Sequence, residues 1–372
     1  MNLSLSDEQV FLREAARGAL SRFKTLEAAR EALDGDEQAL PDLWPTACEA
    51  GWPGLLISED HGGAGLDVFD AMLVLGECGR VIAGVPLLGH LPATAILDAS
   101  GGEKPMIDEL ATGAKRAAYL PVSPPGDVVA DWTVDPASGI ERGAAPTLSA
   151  GTVSGSLHFV PDAPGADLLV GVALDGGKAV GVAIEAAAQG VTIEAVERYD
   201  ATRSLGHVTL ENAPATVLDA PAETLGAAWH LAQALIAAES LGSVETALDT
   251  SVAYAKERFT FGRAIGSYQA VKHSLTEVLR ELENGRSLLY YAGWARHGAP
   301  GEFPLAASAA RSVAGKAFDD AARTMISVHG GIGATWEHDA PLYFRRAQLS
   351  RRLLGGTAGA TDRVAGELLA QA

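Results

Sequence analysis

The most informative segment of the sequence lies within the helical pattern of the C-terminal part. It reads Glu257-Arg258-Phe259-Thr260-Phe261-Gly262-Arg263-Ala264-Ile265-Gly266-Ser267-Tyr268-Gln269. Within it, Arg258 and Thr260 place a planar guanidinium and a hydroxyl close together along the chain. A guanidinium fork suits a dianionic diphosphate, and the hydroxyl adds a second donor. A lone arginine near a helix end is more often a solvated surface charge. The interpretation of Arg258 therefore depends on the rest of the chain.

The pattern on both sides of this stretch is helical, whereas the middle of the chain predicts strands. Ser6 and Gln9 have the spacing of a capping box, and helical patterns continue to about residue 115. Long Ala- and Leu-rich helical patterns return from Ala222. Between them, short β-branched runs separated by Gly- and Pro-containing turns predict strands at residues 152–160, 168–174, 179–184 and 207–210.

Elements of one kind therefore occur in blocks. Helices, then strands, then helices argue against a doubly wound parallel sheet, in which strands and helices alternate. We expect a mainly α-helical protein with a β insert. Its expected parts are an N-terminal helical domain (residues 1–116), a middle β domain (residues 117–220) and a C-terminal four-helix bundle domain (residues 221–372).

Composition excludes several classes of partner and location. The chain has 372 residues and is 48% hydrophobic, enough to bury a large core. Its 28 Lys and Arg residues against 47 Asp and Glu residues give a net charge of -19, which repels nucleic acid and anionic membrane surfaces. No run of about 18 apolar residues predicts a membrane span. The chain has only two cysteines and its start, MNLSLSDEQV, lacks a secretory pattern, so we expect a cytoplasmic protein without a metal site.

Residues 257–269 resemble the hallmark E-R-x-x-F-G-x-x-(I/L)-x-x-(F/Y)-Q of the acyl-CoA dehydrogenase family. In that family the Arg, and the Thr or Ser two residues later, reach across a subunit interface to the pyrophosphate of FAD. The resemblance implies that Arg258, Thr260, Phe261 and Gln269 bind this cofactor. It also implies a homo- or hetero-tetramer, an acyl-CoA substrate and an electron-transfer flavoprotein as electron acceptor.

A second match is Val328-His329-Gly330-Gly331-Ile332-Gly333, followed by Trp336-Glu337 and Arg345. It resembles the family's Q-x-x-G-G-x-G loop, whose glycines let the backbone approach the adenosine half of the cofactor. The usual Gln at the start of this loop is Ser327. The segment from Gly51 to Gly65 also resembles a family motif, so the likeness covers nearly the whole chain. It implies that His329, Gly330, Gly331 and Thr357 bind the cofactor.

The family's catalytic carboxylate is missing. In the family a Glu removes the acyl α-proton while hydride leaves the β-carbon for the flavin, which gives a trans-2-enoyl-CoA. The usual position of this Glu is Gly355 here, and the position that a minority of members use is Ala232, next to Gln233. The nearest carboxylate on the same helix face is Glu239, about 10 Å further along the helix. Glu239 is either a relocated base or a structurally paired helix-interface carboxylate, and we favour the second interpretation.

The β insert has lost side chains that contact the flavin in the family. The family's G-x-x-x-W-I-T-N-(G)-x-x-A-D segment aligns with residues 155–167, where Gly155, Ala166 and Asp167 are kept. Phe159 stands at the position of the family's flavin-stacking Trp. Pro161 stands at the position of the donor Thr, and it has neither a hydroxyl nor an N–H. The family's T-E-P-x-x-G-S-D segment is reduced to residues 120–127.

Residues that would reach a neighbour's flavin are thus kept, and those that would hold the chain's own flavin or take the proton are lost. The chain resembles the degenerate subunit of actinobacterial heterotetrameric acyl-CoA dehydrogenases, which act on bulky acyl-CoA side chains such as those of sterols. We expect a base-less subunit that completes the flavin site of a second acyl-CoA dehydrogenase chain. Three alternatives remain: an active homotetramer that uses Glu239, a flavin-dependent oxygenase or oxidase on the same fold, and a flavin-free structural or binding protein.

Overall fold

The computed structural model describes residues 4–35, 39–101, 103–122, 145–197 and 199–370. The N-terminal part is helical, with α1 Asp7–Leu20, α2 Thr25–Leu33, α3 Trp44–Glu49, α4 Val68–Arg80, α5 Leu87–Ala99 and α6 Lys104–Thr112. The predicted capping box at the start of α1 is confirmed, because the Ser6 hydroxyl accepts from the Gln9 N–H and the Gln9 side chain accepts from the Ser6 N–H.

Strands occupy the middle of the chain. They are β1 Ala117–Leu120, β2 Thr147–Ser149, β3 Thr152–Pro161, β4 Leu168–Asp175, β5 Lys178–Glu185, β6 Val191–Ala195, β7 Leu205–Pro214 and β8 Thr216–Leu218. They form one mixed sheet in the order β6-β7-β3-β2-β4-β5-β8, and β1 pairs parallel with β4. The predicted strands are confirmed as β3, β4, β5 and β7. The strands β2 and β8 have three residues each and β6 is largely exposed, so their sequence pattern is weak.

Helices return after the sheet, as the sequence predicts. They are α7 Ala222–Glu257, α8 Gln269–Gly298, α9 Phe303–His329, α10 Ala340–Ser350 and α11 Gly356–Ala370. The long helices α7, α8 and α9 pack against one another, and α11 packs against α9. A mainly α-helical protein with a β insert is therefore confirmed. No helix in the described part of the chain is long and apolar enough to cross a membrane.

The first and last parts of the chain share one core. Helix α4 packs along α7 so closely that a Cβ on Gly242 would lie 1.9 Å from the carbonyl oxygen of Gly76. A glycine at residue 242 permits this approach of two helix backbones. Helix α5 contacts both α7 and β1, so it connects the sheet to the C-terminal helices. Helix α7 is thus the central element, and most residues from Leu225 to Leu248 are buried.

Candidate functional site

The stretch that follows α7 forms a small hairpin at the end of the helix. Strands β9 Phe259–Thr260 and β10 Arg263–Ala264 pair antiparallel, and residues 261 and 262 make the turn. Both turn residues have positive φ, 52° at Phe261 and 76° at Gly262, as a two-residue hairpin turn of type I′ requires. The hairpin presents its aromatic side chains to solvent, with Phe261 94% and Phe259 63% exposed.

Arg258 precedes this hairpin and its backbone is held on both sides. Its N–H donates to the Tyr254 carbonyl, and its carbonyl accepts from the Ile265 N–H, each at 2.8 Å. Its side chain is exposed and forms no hydrogen bond or ion pair within the described ranges. The Thr260 carbonyl accepts from the Tyr268 hydroxyl at 3.1 Å, and Gln269 begins α8 in an exposed position. The hairpin therefore holds a free guanidinium on a fixed backbone.

The glycine loop lies at the same end of the helices. Helix α9 ends at His329, whose ring packs against Tyr254 of α7 with 4.3 Å between ring centroids. Gly330 follows with a φ of 65°, and a Cβ on either Gly330 or Gly331 would have no atom within 4 Å. The structure thus brings the Arg258 hairpin and the Gly330-Gly331 loop together. Both present open backbone or charge to solvent, and we call them together the nucleotide face.

The two family positions of the catalytic base also lie side by side. Gln233 Nε2 donates to the Leu354 carbonyl at 2.8 Å, which ties α7 to the residue before Gly355. Gly355 has a φ of 79°, and a Cβ there would lie 3.4 Å from Cζ2 of Trp229. Alanine and glycine occupy the two positions predicted for the family's carboxylate, Ala232 and Gly355, and Gln233 is the polar neighbour of the first. This region, residues 229–233 with 354–357, is called the base region below.

Thr357 belongs to the base region and does not lie in the hairpin or the glycine loop. It lies in the first turn of α11, and its methyl group faces α9 so closely that a Cβ on Gly315 would lie 2.1 Å from it. Its N–H donates to the Arg351 carbonyl at 3.0 Å. Thr357 therefore packs between helices in this chain, and its role as a cofactor ligand stays a prediction.

Glu239 lies on the next turns of α7, and both of its oxygens are engaged. Arg346 donates to Oε1 at 2.6 Å, and Arg203 forms an ion pair with Oε2. Arg346 also donates to Asp200 at 2.6 Å, and all four side chains are at least 95% buried. A general base needs a free lone pair that faces its substrate. The geometry therefore favours the structurally paired carboxylate over the relocated base.

Arg311, which the sequence analysis did not identify, is a buried arginine that binds backbone carbonyls next to the base region. Arg311 of α9 is 0% exposed and donates to the carbonyl oxygens of Ser350 and Leu353, at 2.5 Å and 3.2 Å. Burial lowers the pKa of Arg311 to about 10. Its signal in the sequence is an arginine at a position flanked by alanines on the buried face of α9, Ala307, Ala310 and Ala314.

In the β insert, the backbone around Phe159 and Pro161 is irregular. Phe159 has a φ of 54° within an irregular pairing between β3 and β7, and its ring packs edge-on against His207. Pro161 is buried and pairs with Leu205. The Asp162 carboxylate accepts from the Gly89 N–H at 2.8 Å, and burial raises its pKa to about 6. Of the second altered family segment, residues 123–127 lie outside the described residues.

The two parts of this site differ in their fit to FAD. The nucleotide face offers an exposed guanidinium and two adjacent glycines without neighbours, which suit a pyrophosphate and a closely approaching nucleotide. At the ring position, Phe159 and Pro161 offer no side-chain donor, and the Asp162 carboxylate is turned to Gly89. The exposed guanidinium and the glycine loop therefore suit the nucleotide of FAD, whereas Phe159 and Pro161 supply no side-chain donor for its ring.

Comparison with known proteins identifies the class. The model of the acyl-CoA dehydrogenase C-terminal domain matches residues 227–369, and that of the N-terminal domain matches residues 6–123. The chain belongs to the acyl-CoA dehydrogenase family. Members of this family are FAD-dependent oxidoreductases that act on CH–CH bonds.

The relatives include two mycobacterial acyl-CoA dehydrogenases and a steroid ACAD of known structure. The chain is 32% identical to acyl-CoA dehydrogenase IpdE2 of Mycolicibacterium smegmatis, over 94% of this chain and 96% of that protein. It is 33% identical to acyl-CoA dehydrogenase FadE34 of Mycobacterium tuberculosis, over 96% of this chain but only 47% of that longer protein. A structure of a single-residue variant of the Tcur3481-Tcur3483 steroid ACAD superposes with a TM-score of 0.86 at 27% identity, over 99% of each chain.

Proposed function

We propose that this chain is the base-less subunit of an FAD-dependent acyl-CoA dehydrogenase and completes the flavin site of a second, catalytically competent chain. The observation that carries the proposal is the contrast between the nucleotide face and the base region. Arg258 and the Gly330-Gly331 loop are open to a partner, whereas neither base position holds a group that accepts a proton.

The reaction of the complex is the α,β-dehydrogenation of an acyl-CoA to a trans-2-enoyl-CoA. FAD, when bound, supplies the acceptor for the hydride. Arg258 would hold the pyrophosphate through a charge-assisted hydrogen bond, and Thr260 would add its hydroxyl. The Gly330-Gly331 backbone would allow the nucleotide to approach closely, because it carries no side chains. The carboxylate that takes the α-proton belongs to the partner chain.

The exposed aromatic side chains of the hairpin support an interface with that partner. Phe261 projects almost completely into solvent next to Phe259, and Trp336 beyond the glycine loop is 46% exposed under Arg345. Aromatic and arginine residues at such a position are typical anchors of a protein interface. We propose a cytoplasmic tetramer of two kinds of chain, with an electron-transfer flavoprotein as electron acceptor.

The proposed substrate class is a bulky acyl-CoA of the sterol type. The related Tcur3481-Tcur3483 protein, at 27% identity, is a steroid ACAD, which supports this class. Its double name, Tcur3481-Tcur3483, supports an assembly of two kinds of chain.

Expression of the chain alone and together with the partner that co-purifies with it tests the proposal. Alone, the chain should contain little flavin and should not oxidise sterol-type or linear acyl-CoA with an artificial electron acceptor. The complex should do both, and removal of a general base corresponds to a factor of about 10² to 10⁴ in rate. Stoichiometric flavin and turnover by the isolated chain would refute the proposal. Turnover with dioxygen but not with the acceptor would instead indicate an oxidase.

A further inference from the structure

A small cavity lies where α1, α4, α7 and α8 meet, apart from the site described above. Its volume is about 90 Å³. The wall contains four arginines, Arg13, Arg17, Arg80 and Arg286, but only two carboxylates, Glu77 and Glu245. Four guanidinium groups around one small cavity are unexpected in a chain with a net charge of -19. The carboxylates of the wall can therefore balance only two of the four positive charges.

The two carboxylates are already engaged. Glu77 is 5% exposed, and Arg17 donates to both of its oxygens at 2.9 Å and 2.8 Å. Glu245 lies 2.8 Å from Arg80 and 3.7 Å from Arg286. Asp249 and Glu283 also pair with Arg80 and Arg286, from positions outside the cavity wall.

Arg13 is the arginine that these pairs leave over. No hydrogen bond or ion pair joins its side chain to another residue of the described ranges, although the side chain is only partly exposed. The Tyr290 hydroxyl, on the wall beside it, likewise has no hydrogen-bond partner among the described residues. Arg13, Arg286 and Tyr290 all line this one cavity. Unpaired donors thus converge on the cavity.

The size of the cavity limits the ligand. Sites for drug-sized ligands and cofactors have volumes of about 300 to 1,000 Å³, so neither CoA nor a nucleotide fits. The cavity, at about 90 Å³, is well below that range. Only a small ion, or one charged group of a larger molecule, can enter it.

We propose that this cavity binds a small oxyanion, either phosphate or a carboxylate, held by Arg13, Arg286 and Tyr290. The planar fork of a guanidinium matches both kinds of oxyanion, and the tyrosine hydroxyl donates to a further oxygen. Because the donors come from α1 and α8, the anion joins the N-terminal helices to the C-terminal helices. Binding to the native state alone stabilises that state by mass action.

Thermal unfolding of the purified full chain in sodium phosphate, sodium acetate and sodium chloride at equal ionic strength tests the site. Phosphate stabilises proteins in general by exclusion from their surface, so the control must be a matched variant. The test variant is Arg13→Gln with Arg286→Gln. The control is Arg280→Gln, an arginine of α8 that is 56% exposed and paired with Glu277 outside the cavity.

We expect phosphate or acetate to raise the unfolding temperature of the wild type and of Arg280→Gln more than chloride does. The double variant should lose that excess, and calorimetric titration with inorganic phosphate or acetate should show affinity at least about tenfold weaker. The anion that gives the excess identifies the source. An equal excess in all three proteins, or none in the wild type, would overturn the proposal. If the double variant does not fold, Arg13→Gln alone replaces it, because its side chain has no partner to lose.

Discussion

Two regions around α7 differ in the groups that they expose to solvent. At the end of the helix, the nucleotide face has an exposed guanidinium, exposed aromatic rings and glycines without neighbours. In the first third of the helix, the base region is mostly buried, and a hydrogen bond from Gln233 to the Leu354 carbonyl ties it to α7. In the proposed two-chain site, this chain lacks the proton-accepting group and offers binding groups to its partner. Breaking the two regions separately should have separate effects.

The largest effect should come from the buried charges next to the base region. Glu239→Gln leaves Arg203 without its buried carboxylate partner and leaves Arg346 with Asp200 alone, so the free energy of unfolding should fall by roughly 3–5 kcal/mol. Urea denaturation of the isolated chain measures this. The matched control is Glu277→Gln, an exposed pair with Arg280 that should change stability by less than about 1 kcal/mol.

The same variant separates a structural from a catalytic role. If Glu239 only pairs charges, the complex assembled from Glu239→Gln at low temperature should keep its rate of acyl-CoA oxidation. Loss of turnover with flavin and fold intact would make Glu239 the base, and the interpretation of the base region would then be wrong.

The nucleotide face should respond to Arg258→Ala in flavin affinity and not in stability. A hydrogen bond to a charged group contributes roughly 1.5–3 kcal/mol, which corresponds to about a tenfold to hundredfold loss of affinity. Flavin release from the assembled complex on dilution measures the loss, and the circular dichroism of the chain should not change. Arg263→Ala, a neighbouring arginine that stacks on Tyr268, is the control. Equal flavin retention in Arg258→Ala and wild type would contradict the assignment.

A fall in pH should lower the stability of the chain through His230, a buried histidine beside Trp229. Burial lowers the pKa of His230, beside Trp229, to about 3. Because this pKa lies below that of the unfolded chain, the stabilisation is complete above about pH 6.5 and is lost as pH falls toward 3. The loss from His230 should reach roughly 2 kcal/mol at pH 5.

Denaturation of His230→Gln and wild type between pH 7.5 and 5 checks the acid effect. The variant should lose less stability over this range, by roughly 2 kcal/mol. His297→Gln, whose side chain is 65% exposed, serves as the control and should follow the wild type. Parallel curves for His230→Gln and wild type would show that His230 is not buried as a neutral imidazole.

The smallest effect should come from the hairpin aromatic ring. Phe261→Ala should leave the isolated chain as stable as before, because the ring is 94% exposed. It should weaken assembly with the partner by about 1 kcal/mol or more, since buried aromatic anchors dominate interface energies. Sedimentation of the mixed chains measures this. The comparison variant is Phe11→Ala, which removes a ring of α1 that is 73% exposed. Equal assembly by both variants would remove the hairpin from the interface.

Much of the fold followed from local pattern. The capping box at Ser6 and the return of helices at Ala222 depend on neighbouring residues, and the structure confirms them. The strands β6 and β8 escaped prediction, because exposed or very short strands have no clear alternation.

The site was less predictable, because its contacts span large distances along the chain. Arg346 meets Asp200 and Glu239 at separations of 146 and 107 residues, and no local pattern encodes such a network. The role of Arg311 depends in the same way on the chain near Ser350. The assignment of the base position to Gly355 comes from the sequence alone and stays a prediction.

The ratio of FAD to polypeptide in the purified complex tests the central claim most directly. In the proposed assembly the nucleotide face serves the partner's flavin, and this chain holds no flavin of its own. We therefore predict one FAD for each pair of unlike chains, measured by flavin absorbance after denaturation against quantified subunits. One FAD for every polypeptide, or stoichiometric FAD in this chain purified alone, would contradict the account.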